Sequence, residues 1–184
     1  MLCVILARCS IEAQAYAGNR TGIPRYGHVK LNGVAVWQAA WGEERHQYAN
    51  HRGANMFIID TSTCTLQESR RFDTHSIPAA AYQLRRFIQG LSNGTVLVGV
   101  SCDDASLYLE AAEATLSALG ADVSDVGYRG AWAFVAEIGD PSKTVLDKEL
   151  TEAAANARQP IVTAGAQCDL LYTVFKKRAR FNLL

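Results

Sequence analysis

Three short apolar runs constrain this chain more than any other feature: Asn55-Met56-Phe57-Ile58-Ile59-Asp60, Thr95-Val96-Leu97-Val98-Gly99-Val100-Ser101, and the stretch from Trp132 to Ile138. Each is continuous and bounded by turn residues, the pattern of a buried strand. Around them the period changes. Residues 8–17 alternate, with Ile11, Ala13, Ala15 and Ala17 on one side, as a half-buried strand requires. Val29, Leu31, Val34 and Val36 flank Asn32-Gly33, a dipeptide suited to a two-residue hairpin whose central positions need positive φ. Thr65 to Phe72 alternates again and should pair with the first apolar run as an antiparallel hairpin.

Helical spacing occurs in two places. Ile77, Ala81, Leu84, Ile88 and Leu91 recur behind Ser76 as N-cap and Pro78 in the first turn, which predicts a helix over 77–91. Asp104 is placed to cap a second helix with Leu107, Ala111, Ala114, Leu116 and Leu119 on its apolar face and Gly120 as its left-handed end. Thr144 to Arg158 reads as a surface helix and 170–175 as a last strand. Strands occurring singly and in hairpins between two helices argue for an α+β class rather than a doubly wound parallel sheet. At 184 residues the chain is long enough for one domain and too short for two large ones.

Charge and motifs exclude several functions. Eighteen Lys+Arg balance eighteen Asp+Glu, so there is no global field to draw the protein to nucleic acid. The basic run Lys176-Lys177-Arg178-Ala179-Arg180 reads as a solvated tail. The apolar run Leu2–Ala7 is too short for a signal-peptide core or a membrane span. Five cysteines without a C-x-x-C spacing argue against a zinc ribbon or a thioredoxin-type site. The four histidines lack metal-ligand spacing, no Ca²⁺ loop occurs, and no nucleophile elbow or phosphate loop is found. No catalytic residue, metal or other cofactor is therefore expected. Cys102 beside Asp103 reads as a structural cysteine rather than a nucleophile. Asn19 and Asn93 head N-x-[ST] sequons in loop-like stretches and are glycosylation candidates, which leans towards secretion.

Polar chemistry stands at the strand ends. Arg52-Gly53 precedes the first apolar run, Asp103-Asp104 follows the second, and Gly127-Tyr128-Arg129-Gly130-Ala131-Trp132 leads into the third. An Arg fork, an acceptor carboxylate and an aromatic face are what a sugar ring needs for its hydroxyls, its acetamide and its C–H face. The competing reading makes Arg52 and Arg129 internal staples to Asp103 or Asp73, and Trp132 plain core.

These segments, with Arg71-Phe72-Asp73-Thr74, Asn93-Gly94-Thr95-Val96 and Leu116-x-x-Leu119-Gly120 between them, resemble the ILEI/PANDER domain family over roughly residues 9–140. The resemblance implies two twisted, mainly antiparallel β-sheets with helices outside, and leaves 141–184 as a C-terminal extension. It is similar to the stem domain of the O-mannose β-1,2-N-acetylglucosaminyltransferase, and that similarity implies a pocket for β-linked N-acetylglucosamine at Arg52, Asp103 and Arg129. The expectation is a secreted, non-catalytic, calcium-independent lectin-like domain, with Trp132 or Tyr128 as its apolar wall and a glycan or glycoprotein as partner. A single shallow polar site should have a Kd of roughly 0.1–1 mM, so a homo-oligomer would supply avidity. The alternative is a cytokine-like ligand that binds a protein receptor.

Overall fold

The computed structural model describes residues 9–17, 26–40, 51–149 and 161–168. Strands β1 (Cys9–Ala17), β2 (Tyr26–Leu31), β3 (Val34–Ala40), β4 (Gly53–Asp60) and β5 (Thr65–Phe72) precede helix α1 (Pro78–Gln89). Then come β6 (Val96–Asp103), α2 (Glu110–Ala118), β7 (Ala131–Glu137), β8 (Asp140–Glu149) and β9 (Ile161–Cys168). The class is α+β.

Strands β5-β4-β6-β7-β8 form one antiparallel sheet and β3-β2-β1-β9 another. The two share β6. Along one edge β6 pairs with β4. Along the other it pairs with β7 as far as Val100↔Ala133, and its last residues turn to β1 in the fold's one parallel contact among the described residues, Tyr16↔Cys102 and Ala17↔Asp103.

The apolar runs are continuous because both faces of their sheet are covered. On β4, Ala54, Met56 and Ile58 face the helices, whereas Phe57 and Ile59 face the second sheet. Trp132 and Phe134 on β7 join Leu84, Ile88, Leu109 and Leu116 in the helix-side core. Val98 and Val100 of β6 meet Ile11, Ala13, Val29 and Leu31 in the other. Gly99 interrupts β6 because the Phe134 ring lies where its Cβ would be, 2.2 Å away. A disulfide joins Cys9 of β1 to Cys64 in the β4–β5 turn, fastening one sheet to the other, and Cys102 is buried.

The Asn32-Gly33 hairpin forms with φ of 50° and 79° at its two central residues. Gly120 closes α2 in a left-handed turn, its N–H donating to Ser117 and that of Ala121 to Leu116, a Schellman arrangement. Both expected N-caps are corrected. The residue before α1 is Ile77, with no side-chain cap: the helix starts at Pro78, which leaves Ser76 one residue before the cap position, in the turn where Asp73 Oδ1 accepts its N–H at 3.0 Å. Asp104 does not cap α2, which starts after Leu109; its carboxylate is used on Ser106 and His75.

The helix expected from Thr144 is also corrected. Residues 144–149 belong to β8, which turns back at Gly139 (φ 89°) and pairs with the free edge of β7 through Phe134↔Leu146 and Val135↔Val145. An available ladder edge outweighs a modest helical propensity. Residues 150–158, and the strand expected at 170–175, lie outside the described residues.

Candidate functional site

The topology gathers the polar strand ends at one corner. Gly53 opposite Cys102 sets the start of β4 beside the end of β6, Ala54 opposite Phe72 adds the end of β5, and the Trp132 N–H donates to Ser101 Oγ at 2.8 Å, fixing the start of β7. Arg52, Asp73, Asp103, Asp104 and Arg129 follow from those registers. Gly53 makes the convergence possible: at φ 99°, any Cβ there would sit 2.2 Å from the Phe72 carbonyl oxygen.

One half of the corner is closed on itself. Arg52 donates from Nε and Nη2 to the two carboxylate oxygens of Asp73 at 3.2 and 3.0 Å, a bidentate fork. Asp73 is buried, and burial pushes its carboxyl up, but the Arg52 fork, the Ser76 N–H and the charges of Arg52 and Arg71 together hold it below the ordinary range. The same fork raises Arg52. This is the staple that was the competing reading for Arg52, and it still leaves the Nη1 donors of that side chain outside the fork.

The other half is open. Asp103 (φ 61°) and Arg129 (φ 59°) both hold left-handed backbone conformations, which cost an ordinary side chain about 1–2 kcal/mol each. Among the described residues neither side chain forms an ion pair or hydrogen bond that closes the two on each other. Burial pushes the Asp103 carboxyl up, against the pull of the nearby Arg129 and Arg52 charges. Arg129 instead lies 5.1 Å over the exposed ring of Tyr128. Tyr128 in turn faces His75 at 6.4 Å, and His75 Nδ1 is 2.9 Å from the buried Asp104 carboxylate. Thr74 Oγ1 donating to the Ala105 carbonyl at 2.8 Å bolts the two loops together beneath.

The structure thus brings Arg52, Asp103 and Arg129 to one surface, with an acceptor and donors still able to take new partners. Trp132 is corrected. It is 1% exposed, packs against Phe134 in the helix-side core and has no face for a ligand. The exposed aromatic at the corner is Tyr128. Asn93 lies exposed in the turn between α1 and β6, and Asn19 falls outside the described residues. Sequence reasoning missed the supporting role of His75, whose only signal was its place two residues after Asp73 at the end of β5. Among the described residues no group of three or more His, Cys, Asp or Glu side chains could hold a metal ion, and no helix is long and apolar enough to cross a membrane.

Residues 52–140, which carry the whole corner, match the family model described as interleukin-like EMT inducer. The chain is 31% identical over 103 residues to a cell surface hyaluronidase of Danio rerio, covering 54% of this chain and 8% of that protein. It is 27% identical over 117 residues to the cell migration-inducing and hyaluronan-binding protein of Mus musculus, covering 62% of this chain and 8% of the relative, and equally to the Homo sapiens protein. The chain therefore spans under a tenth of the length of these relatives.

Proposed function

From the premise that residues 52–140 are a domain of the interleukin-like EMT inducer family, we propose that this domain is a non-catalytic, calcium-independent glycan-binding module. Its site is the Arg52, Asp103 and Arg129 corner. Arg129 and the remaining donors of Arg52 give hydrogen bonds to sugar oxygens, Asp103 accepts from hydroxyl or amide groups, and Tyr128 offers the apolar wall. The sugar is β-linked N-acetylglucosamine or a chain that contains it.

One observation carries the reading: an acid and a cation stand in left-handed backbone at the meeting point of three strands, within each other's field yet with no hydrogen bond or ion pair joining them among the described residues. Strain of this kind persists where the surroundings impose it, and it concentrates at ligand sites. The names of the similar proteins add support, since two of them are called hyaluronan-binding and hyaluronan repeats a β-linked N-acetylglucosamine. The Cys9–Cys64 disulfide suits an oxidising, extracellular setting.

The test is calorimetry with chitotriose in the presence of EDTA, on wild type and on Arg129→Ala. Binding at a Kd of roughly 0.1–1 mM, lost in the variant and indifferent to EDTA, is expected. A folded wild-type protein that binds no sugar would move the assignment to a secreted ligand for a protein receptor. Cleavage of a glycan by the wild-type protein would overturn the non-catalytic part.

A further inference from the structure

The turn between α1 and β6 carries the sequon Asn93-Gly94-Thr95, and it is closed by backbone alone. The Thr95 N–H donates to the Ser92 carbonyl at 3.1 Å, with Gly94 at φ 84° in the position where a type II turn favours glycine. Two further bonds tie this turn to the one between β7 and β8. The Gly94 N–H donates to the Ile138 carbonyl at 2.8 Å, and the Ile138 N–H to the Thr95 carbonyl at 2.9 Å. Neither the Asn93 amide nor the Thr95 hydroxyl makes a hydrogen bond among the described residues.

The other polar turns of the molecule are built differently. Asp60, Asp104, Asp122 and Asp140 each accept the N–H two residues on, at 2.8, 2.8, 3.1 and 3.2 Å. The other two described asparagines are occupied as well: Asn32 Oδ1 accepts the Ser10 N–H at 2.9 Å, and the buried Asn55 amide donates to the His51 carbonyl at 2.7 Å. A turn asparagine ordinarily spends its side chain on local backbone. That of Asn93 is exposed and unspent. Gly139 gives it room, since a Cβ there would stand 2.8 Å from Asn93 Cγ and Oδ1. The fold therefore uses neither of the two side chains that an N-glycosylation acceptor requires, and it leaves the asparagine at the surface, where a bulky glycan is accommodated.

We propose that Asn93 is the acceptor of an N-linked glycan. The donor is an oligosaccharide carried on a lipid pyrophosphate. Its C1–O bond breaks as C1 bonds to Asn93 Nδ2, the amide gives up one proton, and the lipid pyrophosphate leaves with the electron pair. Strand β6 has eight residues, Val96 to Asp103, and spans about 23 Å at roughly 3.3 Å per residue. The glycan thus stands at the end of the strand opposite Asp103 and leaves the Arg129 corner open. The inference concerns a glycan carried and is independent of the one proposed to be bound.

The test directs the full chain into the endoplasmic reticulum of cultured mammalian cells with an added cleavable leader. The secreted protein is treated with peptide-N-glycosidase F in heavy-oxygen water and mapped by mass spectrometry, because release converts a glycosylated asparagine to aspartate with one heavy oxygen atom. Label at Asn93 in most molecules is expected. Asn93→Gln and Thr95→Ala should both migrate faster on a gel, and Thr95→Ser should migrate with the wild type. Thr95→Ala keeps the asparagine and removes a hydroxyl the fold does not use, so its loss of glycan separates the sequon from mere exposure. Unlabelled Asn93 in the secreted wild-type protein, or label confined to Asn19, would overturn the inference. A glycan at Asn93 that survives Thr95→Ala would overturn it too. The wild-type map decides the site even where a variant is not secreted.

Discussion

Two acid–arginine pairs sit side by side at the ends of the central strands, and they were built differently. Asp73 and Arg52 are joined in a bidentate fork, with Asp73 buried and its remaining capacity spent on the Ser76 amide. Asp103 and Arg129 lie in the same field yet stay apart, each in a backbone conformation that ordinary side chains avoid. A buried fork holds loops in place, because breaking it strands a charge away from water. An open pair contributes little to stability and keeps its hydrogen-bonding capacity for something else.

The largest expected effect falls on the closed pair. Asp73→Ala should destabilise the protein by about 3 kcal/mol, since it leaves the Arg52 guanidinium without its carboxylate; urea unfolding measures it. A loss below about 1 kcal/mol would mean that the two pairs do not differ in kind. Next comes Arg129→Ala, which should reduce chitotriose affinity at least tenfold while changing stability by less than about 1 kcal/mol, the scale of an exposed cation–π contact. A variant that unfolds as easily as the Asp73 one would make Arg129 a staple too.

Asp103→Asn sharpens the contrast with a smaller change. Asn tolerates left-handed backbone, and the substitution removes a carboxylate that burial disfavours, so stability should rise or stay level within about 0.5 kcal/mol. Sugar affinity should fall several-fold with the loss of the charged acceptor.

Acid should separate the pairs as well. The folded-state value of Asp103 lies above the ordinary 3.8, so its ionised form detracts from stability, and protonation on acidification removes a ligand acceptor without loosening the fold. The value for Asp73 lies below 3.8, so its contribution is fully present above that pH and disappears only as pH falls through the lower value. Chitotriose binding should therefore be lost at a higher pH than the native circular dichroism signal. Coincident losses would remove the distinction.

What could be read from the chain follows the same division between local and long-range causes. The apolar runs, the Asn32-Gly33 turn and the helical stripe behind Pro78 act through neighbours in sequence, and the structure has them. The strand ends that carry Arg52, Asp103 and Arg129 were equally legible, because a run's boundaries are local. What the sequence could not convey was competition. Ser76 is a good cap by type, but the turn that Asp73 closes delays the helix to Pro78, one residue too late for it. Residues 144–149 suit a helix until β7 offers them an edge. Trp132 sits in a motif suited to sugar stacking, yet strand alternation turns it towards the helices. The Ala- and Gly-containing segment of β9 carries too weak an alternation to announce a strand and depends on β1 for its ladder.

The partner exchange along the edge of β6 has a consequence for the order in which the molecule assembles. Hairpins β4–β5 and β7–β8 close short loops, whereas nearly half the chain separates Ala17 from Asp103, and contacts of that separation form late. Asp103 acquires its β1 partner in that late step. Sugar binding should then lag behind the recovery of secondary structure during refolding, so that ligand affinity reports whether the first strand has been stitched to the rest.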